Sequence, residues 1–398
     1  MKDFFSCAFR PFFAATACYA IVAVALWVWV LQGAAPVTLP VNVTYWHAHE
    51  MLVGFAFGAL AGFLLTAVAT WTGRPPVSGW LLAVLWVTWL AGRVAMGWGG
   101  VLEPRLTALL DSVFPLLLAG LVVHEVGTAR NSRNLPVAAL VCWLALANLL
   151  YHAGATGLLP LAVDAERVGL LLMLHGMLLM LTLIAGRIIP AFSGNWLRAR
   201  GHAPLPAANS RTDRATLALT GLCGLYAAIA PFSGVTGTLA LLAAVLHAMR
   251  LWRWRGWRVR SEPLLVMLHI AYAWLPPGYL LLAATAFGWS MSGVAAIHAL
   301  AVGALGTMVL ALVTRVPLGH TGRPLTAGFT VSVAYALMLA AAVLRVYGGS
   351  GAAYYPVLNA AACAWVASFT VYLGKYLPIL LQGNPAAEAS PPAGQPPV

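Results

Sequence analysis

The stretch that decides the fold runs from WHAHEM at positions 46–51 to the turn TGRP at positions 72–75. Its pattern returns 249 residues later, where His298 takes the place of His49 and a second TGRP turn lies at positions 321–324. Gly303 also falls on Gly54. A histidine at the same distance ahead of the same turn, twice in one chain, indicates an internal duplication.

A third and more degraded copy lies between these two. His175 opens another apolar run, which ends in the arginine-proline turn GRIIP at positions 186–190. One histidine therefore recurs in each third of the chain, always on the second helix of its unit. We predict three pseudo-repeated four-helix units at 1–132, 133–261 and 262–383.

The composition predicts an integral membrane protein. Hydrophobic residues make up 62% of the chain and charged residues 8%, whereas soluble surfaces need roughly a quarter charged residues. A helix crosses a bilayer with about 20 apolar residues, and the sequence offers twelve such runs. The predicted fold is an all-α polytopic membrane protein with twelve transmembrane helices in a single domain, 1–383.

The positive charges predict the orientation of these helices. With the N-terminus inside, the basic residues fall on cytoplasmic segments, except Arg93, Arg105, Arg167 and Arg345. Both termini are then cytoplasmic, and the Pro- and Ala-rich tail 384–398 is predicted to be disordered. The arginine- and tryptophan-rich segment 250–260 is typical of a lipid headgroup anchor. The positive charge thus requires no nucleic acid.

Histidines are the main candidates for chemistry. The chain has ten, and an ionisable side chain within the bilayer is costly enough to suggest a functional site. Imidazole binds both haem iron and copper, so recurrence favours His49, His175 and His298 as ligands. The alternative is a hydrogen bond to a neighbouring helix. His47 precedes His49 by two positions and must face another direction, with Glu50 as a carboxylate neighbour.

Other polar residues stand out within the apolar spans. His269 and Tyr272 lie three positions apart on one predicted helix face, where they could relay protons or support a metal, although tyrosine is also common at membrane interfaces. Asp111 is a carboxylate inside a span and needs a partner, for which Arg93 is the candidate. The small-residue spacing of Gly54, Gly58 and Gly62 predicts close helix packing.

The two TGRP turns place Arg74 and Arg323 at the predicted cytoplasmic rim, and His320 directly precedes the second turn. Arginines in these positions can bind an anionic group or cap helix ends. The sequence leaves these two alternatives open.

Several motifs together resemble those of the NnrS family. They span nearly the whole chain in order: FRPFF at 9–13, WHAHEM at 46–51, WTGRPP at 71–76, LHIAYAW at 268–274 and GHTGRP at 319–324. The resemblance implies a bacterial inner-membrane protein of denitrification and nitric oxide stress that contains haem and copper.

Under this resemblance, His49 and His298 are predicted to be axial ligands of a b-type haem, with copper near His47 and His175. Nitric oxide would bind at the iron. The threefold plan of four-helix units, with histidines on spans two, six and ten, is also similar to the catalytic subunit of haem-copper oxidases and nitric oxide reductases. The chain lacks the adjacent histidine pair on span seven and the HxH motif on span ten that belong to the oxidase pattern. A related helix arrangement is therefore expected without an identical dinuclear centre.

Two further functions stay open at this stage. The chain could be a quinol-dependent reductase of nitric oxide or oxygen, which would require a redox partner and a proton path. It could also be a transporter that moves a metal or small anion past Arg74 and Arg323. Whether it is an enzyme is not decided by the sequence.

Overall fold

The computed structural model describes residues 3–33, 39, 42–159, 164–203, 205–206, 210–289, 292–348 and 354–382. The tail predicted to be disordered, 384–398, lies outside these ranges. Within them the chain folds into helices and connecting turns, and no described residue belongs to a β-strand. The prediction of an all-α polytopic membrane protein is confirmed.

Twelve helices follow one another in the described ranges, and short 3₁₀ turns lie at Ser132–Asn134 and Gly256–Val259. The helices are α1 (Phe9–Leu31), α2 (Val43–Thr72), α3 (Gly79–Gly97), α4 (Pro104–Thr128), α5 (Leu135–Ala155), α6 (Ala165–Arg198), α7 (Ser210–Ile229), α8 (Gly234–Arg253), α9 (Pro263–Ala286), α10 (Gly293–His320), α11 (Phe329–Tyr347) and α12 (Tyr354–Leu381).

Eleven of these helices are long and apolar enough to cross a membrane. The remaining one, α7, is helical as predicted, but it falls outside this set among the described residues. Its first turns carry Arg211, Asp213 and Arg214, which lower its average hydropathy. It packs between α6 and α8 in the same bundle.

Three helices form the centre of the bundle. In α2 and α6, 83% of the most apolar 18-residue stretch is buried, and in α10 the share is 72%; in the other spanning helices it is 33–56%. The three contact one another, while α1 packs along α12 on the outside. The central helices are those that carry the recurring histidines, so all three histidines belong to helices in the interior of the bundle.

The duplication seen in the sequence extends to an uncommon backbone feature. In α2, the α-helix Val43–His49 is followed by a π-helix at Glu50–Phe57, and in α10 a π-helix at Ala299–Gly306 follows His298. Both π-helices have eight residues and begin directly after the equivalent histidine. π-Helical segments are rare and occur mostly at functional sites. The central helix α6 is α-helical throughout.

Glycines allow neighbouring helices to approach these segments closely. A Cβ atom at Gly54 would lie 2.4 Å from the Tyr19 ring, and at Gly303 it would lie 2.5 Å from the Trp274 ring. Gly58 and Gly62 are equally crowded by side chains of adjacent helices. The prediction of close helix packing at the glycine stripe is confirmed.

Two tryptophans of the arginine-rich segment face outward and one faces inward. Trp252 and Trp257 are exposed and lie against each other, with ring centroids 5.0 Å apart. Trp254 is buried and packs on Tyr272. The predicted headgroup anchor can therefore involve only the two exposed indoles of this set.

Candidate functional site

His49 is fully buried and both of its ring nitrogens are engaged. Its Nδ1 lies 2.9 Å from Glu50 Oε1, and its Nε2 lies 2.8 Å from Asn148 Oδ1 and 3.3 Å from Asp111 Oδ2. The ring stacks on Tyr151 at 4.6 Å. Carboxylate oxygens only accept hydrogen bonds, so an imidazole placed between these oxygens satisfies them best with a proton on each nitrogen.

A buried ion network adjoins His49. Arg93 donates to Glu50 Oε1 at 2.5 Å and also donates to Asp111 Oδ1, which confirms the partner predicted for this aspartate. The Tyr19 hydroxyl donates to the other Glu50 oxygen. These groups come from α1, α2, α3 and α4, so the network joins four helices. Buried charges persist only when they are paired and hydrogen-bonded in this way.

His152 completes a group that could hold a metal ion. Its Nε2 lies 2.8 Å from Asp111 Oδ2, and ligand atoms of His49, Asp111 and His152 all lie within 4.8 Å of one another. Two carboxylates and one guanidinium leave one negative charge in this network. One further cation balances it, either a proton on an imidazole or a metal ion, because an unpaired buried charge is very costly.

His47 faces away from this cluster, as the two-residue spacing predicted. Its ring stacks on Trp27 of α1, with centroids 4.4 Å apart. The side chains of His298 and Arg345 lie close enough to interact with it electrostatically. Its Nδ1 atom is buried and has no hydrogen-bond partner in the described part of the chain.

His298 and Arg345 belong to the same group. His298 Nδ1 lies 2.7 Å from the carbonyl oxygen of Val294, one turn earlier in α10. A carbonyl only accepts, so Nδ1 carries the proton and Nε2 keeps its lone pair. The Nη1 atom of Arg345 is buried without a hydrogen-bond partner among the described residues. We call His47, His298 and Arg345 the paired-histidine site.

His175 occupies a third, more apolar environment on α6. It is buried against Gly224 of α7, where an added Cβ would lie 2.6 Å from the histidine Cβ. Its Nδ1 has no hydrogen-bond partner in the described ranges. The three recurring histidines thus have different surroundings: His49 contacts α4 and α5, His175 contacts α7, and His298 lies near α11.

Tyr272 takes part in a second buried polar network, nearer the predicted cytoplasmic end. The His247 Nδ1 atom lies 2.7 Å from the Tyr272 hydroxyl, and Arg250 donates to the same hydroxyl at 3.1 Å. Arg250 also forms an ion pair with Asp213 at 2.7 Å. The other imidazole nitrogen of His247 lies 3.1 Å from Thr220 Oγ1. This network fixes α7, α8 and α9 to each other.

His269 has a different partner from Tyr272 although both lie on α9. Its Nε2 is 3.0 Å from Ser193 Oγ on α6, and its Nδ1 is buried without a partner among the described residues. Gly256 packs tightly over the ring. The predicted pair therefore does not act as one hydrogen-bonded unit.

The two TGRP turns differ in their charge partners. Arg74 donates to Glu125 of α4 at 2.5 Å. Arg323 has a buried Nη1 atom without a hydrogen-bond partner in the part of the chain that is described. His320 packs beside Phe9, with ring centroids 5.9 Å apart.

An apolar cavity of about 50 Å³ lies between α1, α2, α6 and α10. All the described residues that line it are apolar, and they include Met177, Met180 and Met308. A cavity of this size can hold a few water-sized molecules, and an apolar lining favours uncharged ones. It lies between the three helices that carry the recurring histidines.

His152 and Asn148 were missed as site residues by the sequence reasoning. They lie four positions apart on α5, so they share one helix face, and both are polar and buried. Two buried polar side chains at this spacing, with an unpaired aspartate on the preceding helix, would have been the available signal. Arg345 was recognised only as an outer charge.

The arrangement of a membrane bundle with buried histidines agrees with the comparison to known families. A comparison with curated proteins finds no match. The family model described as NnrS protein matches residues 3–383. The chain therefore belongs to the NnrS family, which is associated with the nitric oxide response.

Proposed function

We propose that the chain binds haem at the paired-histidine site and interacts with nitric oxide there. The observation that carries this proposal is that His47 of α2 and His298 of α10 interact electrostatically with each other and with Arg345, which has a buried, unpartnered nitrogen. Buried polar atoms without partners are rare in proteins and call for an explanation. A bound group that coordinates an imidazole nitrogen and carries a negative charge beside the arginine would explain them.

The donor set fits haem in two respects. His298 is held as the Nδ1-protonated tautomer by the Val294 carbonyl, which is the usual way a protein orients a metal-binding imidazole. Arg345 provides a guanidinium for a carboxylate, and haem carries two propionate carboxylates. Arginine pairs with carboxylates through strong, charge-assisted hydrogen bonds.

The proposal pairs His298 with His47 instead of His49. Both nitrogens of His49 are already hydrogen-bonded to buried oxygens. Freeing one of them would leave an oxygen acceptor without its donor, at a cost of about 1–3 kcal/mol. His47 offers a nitrogen whose hydrogen-bonding capacity is unused.

Bound haem would supply a one-electron redox couple, and it would take a small diatomic ligand in place of one of the two imidazoles. The residues of the chain supply the selectivity. Nitric oxide is uncharged and dissolves in the apolar phase, and the cavity between α2, α6 and α10 is lined by apolar side chains alone among the described residues. Ions are excluded from such a space by their desolvation cost.

The test is the haem content of purified variants. We expect His47→Ala and His298→Ala to lose most of the pyridine-haemochrome signal, while His124→Ala, a control at an exposed position, keeps it. His49→Ala should retain haem if it folds. Titration of the wild type with nitric oxide should shift its Soret band.

Two results would contradict the proposal. One is a colourless wild type after haem-replete expression. The other is loss of haem in His49→Ala with full haem in His47→Ala, which would restore the pairing first predicted from the sequence. Size-exclusion profiles of each variant separate lost binding from lost folding.

A metal ion at His49, Asp111 and His152 is a second part of the proposal. The three ligand atoms lie close together, and the network needs one more positive charge. A metal ion there would also displace the hydrogen bond between His49 Nε2 and Asn148, and the charge that it adds to the network would offset this loss. Two imidazoles and a carboxylate oxygen suit copper(II), and they also suit zinc and iron(II). Copper at His175 stays a prediction.

Metal analysis of the wild type beside His152→Ala tests this part. His247→Ala serves as the control, because His247 is equally buried but belongs to the other polar network. We expect copper in the wild type and in the control and its loss in His152→Ala. A wild type that folds and contains no copper after copper-replete expression would assign the balancing charge to a proton.

A further inference from the structure

The two copies of the TGRP turn are equal in sequence and unequal in charge balance. In the first, Arg74 is neutralised by Glu125 of α4. The duplication relates α4 to α12. The buried residues Val122 and Val126 of α4 correspond to the buried Tyr372 and Tyr376 of α12, so Lys375 stands where α4 carries Glu125. The second copy therefore retains the arginine, Arg323, and lacks the carboxylate that pairs with it in the first.

A second arginine adds to this imbalance. Arg10 of α1 lies over the Phe9 ring, 5.4 Å from its centroid, and that ring packs beside His320 directly ahead of the second turn. Its charge interacts with that of Arg323, and it is only 3% exposed. Its Nε atom and the Nη1 atom of Arg323 are both buried without hydrogen-bond partners in the described part of the chain. Two unpartnered guanidinium donors in one place are an electrostatic cost that a bound anion would remove.

The neighbouring groups only partly offset these two charges. Arg10 donates through Nη1 to the carbonyl oxygens of Ile379, Leu380 and Gln382 at the end of α12, where the helix dipole is negative. Asp3 is the acidic residue that interacts with Arg10, and it lies on the exposed N-terminal segment. The remaining donors, Arg10 Nε and Arg323 Nη1, stay available.

We propose that this end of the bundle binds one phosphate-type oxyanion between Arg10 and Arg323. Guanidinium groups match the spacing of phosphate oxygens and bind them through charge-assisted hydrogen bonds. The phosphate can belong to an anionic lipid headgroup or to a free phosphate, since the site lies where α1 begins and where α10 and α12 end. The site is separate from the paired-histidine site and does not depend on haem.

The experiment removes the arginine of the second turn. Arg323→Gln takes away one guanidinium of the site, and Arg323 is partly exposed, so the change carries little risk to folding. Arg323→Lys keeps the positive charge and loses the forked donors. Arg74→Gln, in the first copy of the turn, is the matched control.

Binding is measured on the full-length protein in detergent with two probes. Native mass spectrometry counts retained phosphatidylglycerol, and a thermal-shift titration follows inorganic phosphate. We expect the wild type and Arg74→Gln to bind at least one probe with equal affinity, Arg323→Gln to bind it about tenfold more weakly or not at all, and Arg323→Lys to lie between them. The probe that binds identifies the source of the phosphate.

The proposal is overturned if the wild type binds neither probe. It is also overturned if Arg323→Gln binds with wild-type affinity. Equal loss of binding in Arg74→Gln and Arg323→Gln would show that the anion does not bind at the second turn and would equally reject it.

Discussion

The substitution Asp111→Asn should destabilise the chain more than a substitution that removes a neutral buried hydrogen bond, such as Thr220→Val. Asp111 is fully buried and is bonded to Arg93, His152 and Asn148. Without its charge, the guanidinium of Arg93 keeps only Glu50 as a counter-ion. Breaking a buried ion pair on one side typically costs about 3–5 kcal/mol.

This cost converts into a shift of melting temperature. Folded proteins gain about 2.1 cal/mol/K of unfolding entropy per residue, so a 398-residue chain gains roughly 0.8 kcal/mol/K. The expected fall in Tm is then about 4–6 °C. By contrast, Thr220→Val removes a neutral interhelical hydrogen bond to His247, worth about 0.6 kcal/mol in membrane bundles, and should lower Tm by less than about 1 °C.

A thiol-reactive fluorophore provides the assay, because Cys223 is fully buried and reacts only on unfolding. The exposed cysteines, Cys18 and Cys363, are replaced by serine in all variants to lower the background. Chelator treatment beforehand removes any contribution from a metal. The reasoning is refuted if Asp111→Asn and Thr220→Val lower Tm by the same amount.

Two further predictions concern packing and the second polar network. Gly303→Ala should lower Tm, because the added methyl group collides with an indole ring and overpacking costs about 1–3 kcal/mol. Gly374→Ala should leave Tm unchanged or raise it, because its surroundings are open and alanine favours helix. Equal shifts of Tm in the two variants would contradict this. Asp213→Asn should cost less than Asp111→Asn in the same assay, because the Asp213 side chain is 23% exposed and water can replace part of its bond to Arg250. A larger loss for Asp213→Asn would show that exposure does not control the strength of these pairs.

The duplication was readable from the sequence because it rests on local signals. The TGRP turns and the histidines ahead of them predicted equivalent helices, and the structure adds π-helices in equivalent positions. The partnership of Asp111 and Arg93 was also predictable, because a buried carboxylate needs a cation and few were in reach. These inferences needed only composition, spacing and the cost of burying charge.

The surroundings of each histidine were less accessible to sequence reasoning. Equivalent positions suggested that His49, His175 and His298 serve a common site, but the outer helices facing each one carry different side chains. His49 meets Asn148 and Asp111, whereas His298 meets Arg345. Such contacts depend on which helices pack together, and a helical pattern within one segment does not determine that.

The two π-helices have a mechanical consequence for the residues beyond them. Each successive residue of an ordinary α-helix turns the side-chain direction by about 100°, and a π-helix spreads its turns over more residues. The number of residues in Glu50–Phe57 thus sets the rotation of the preceding part of α2 about the helix axis. Loss of one residue there would rotate Trp46 to His49 as a block against α1, α4 and α5 while leaving the lower half of α2 in place. The length of that short segment, more than any single side chain in it, determines the directions in which the imidazoles of His47 and His49 point.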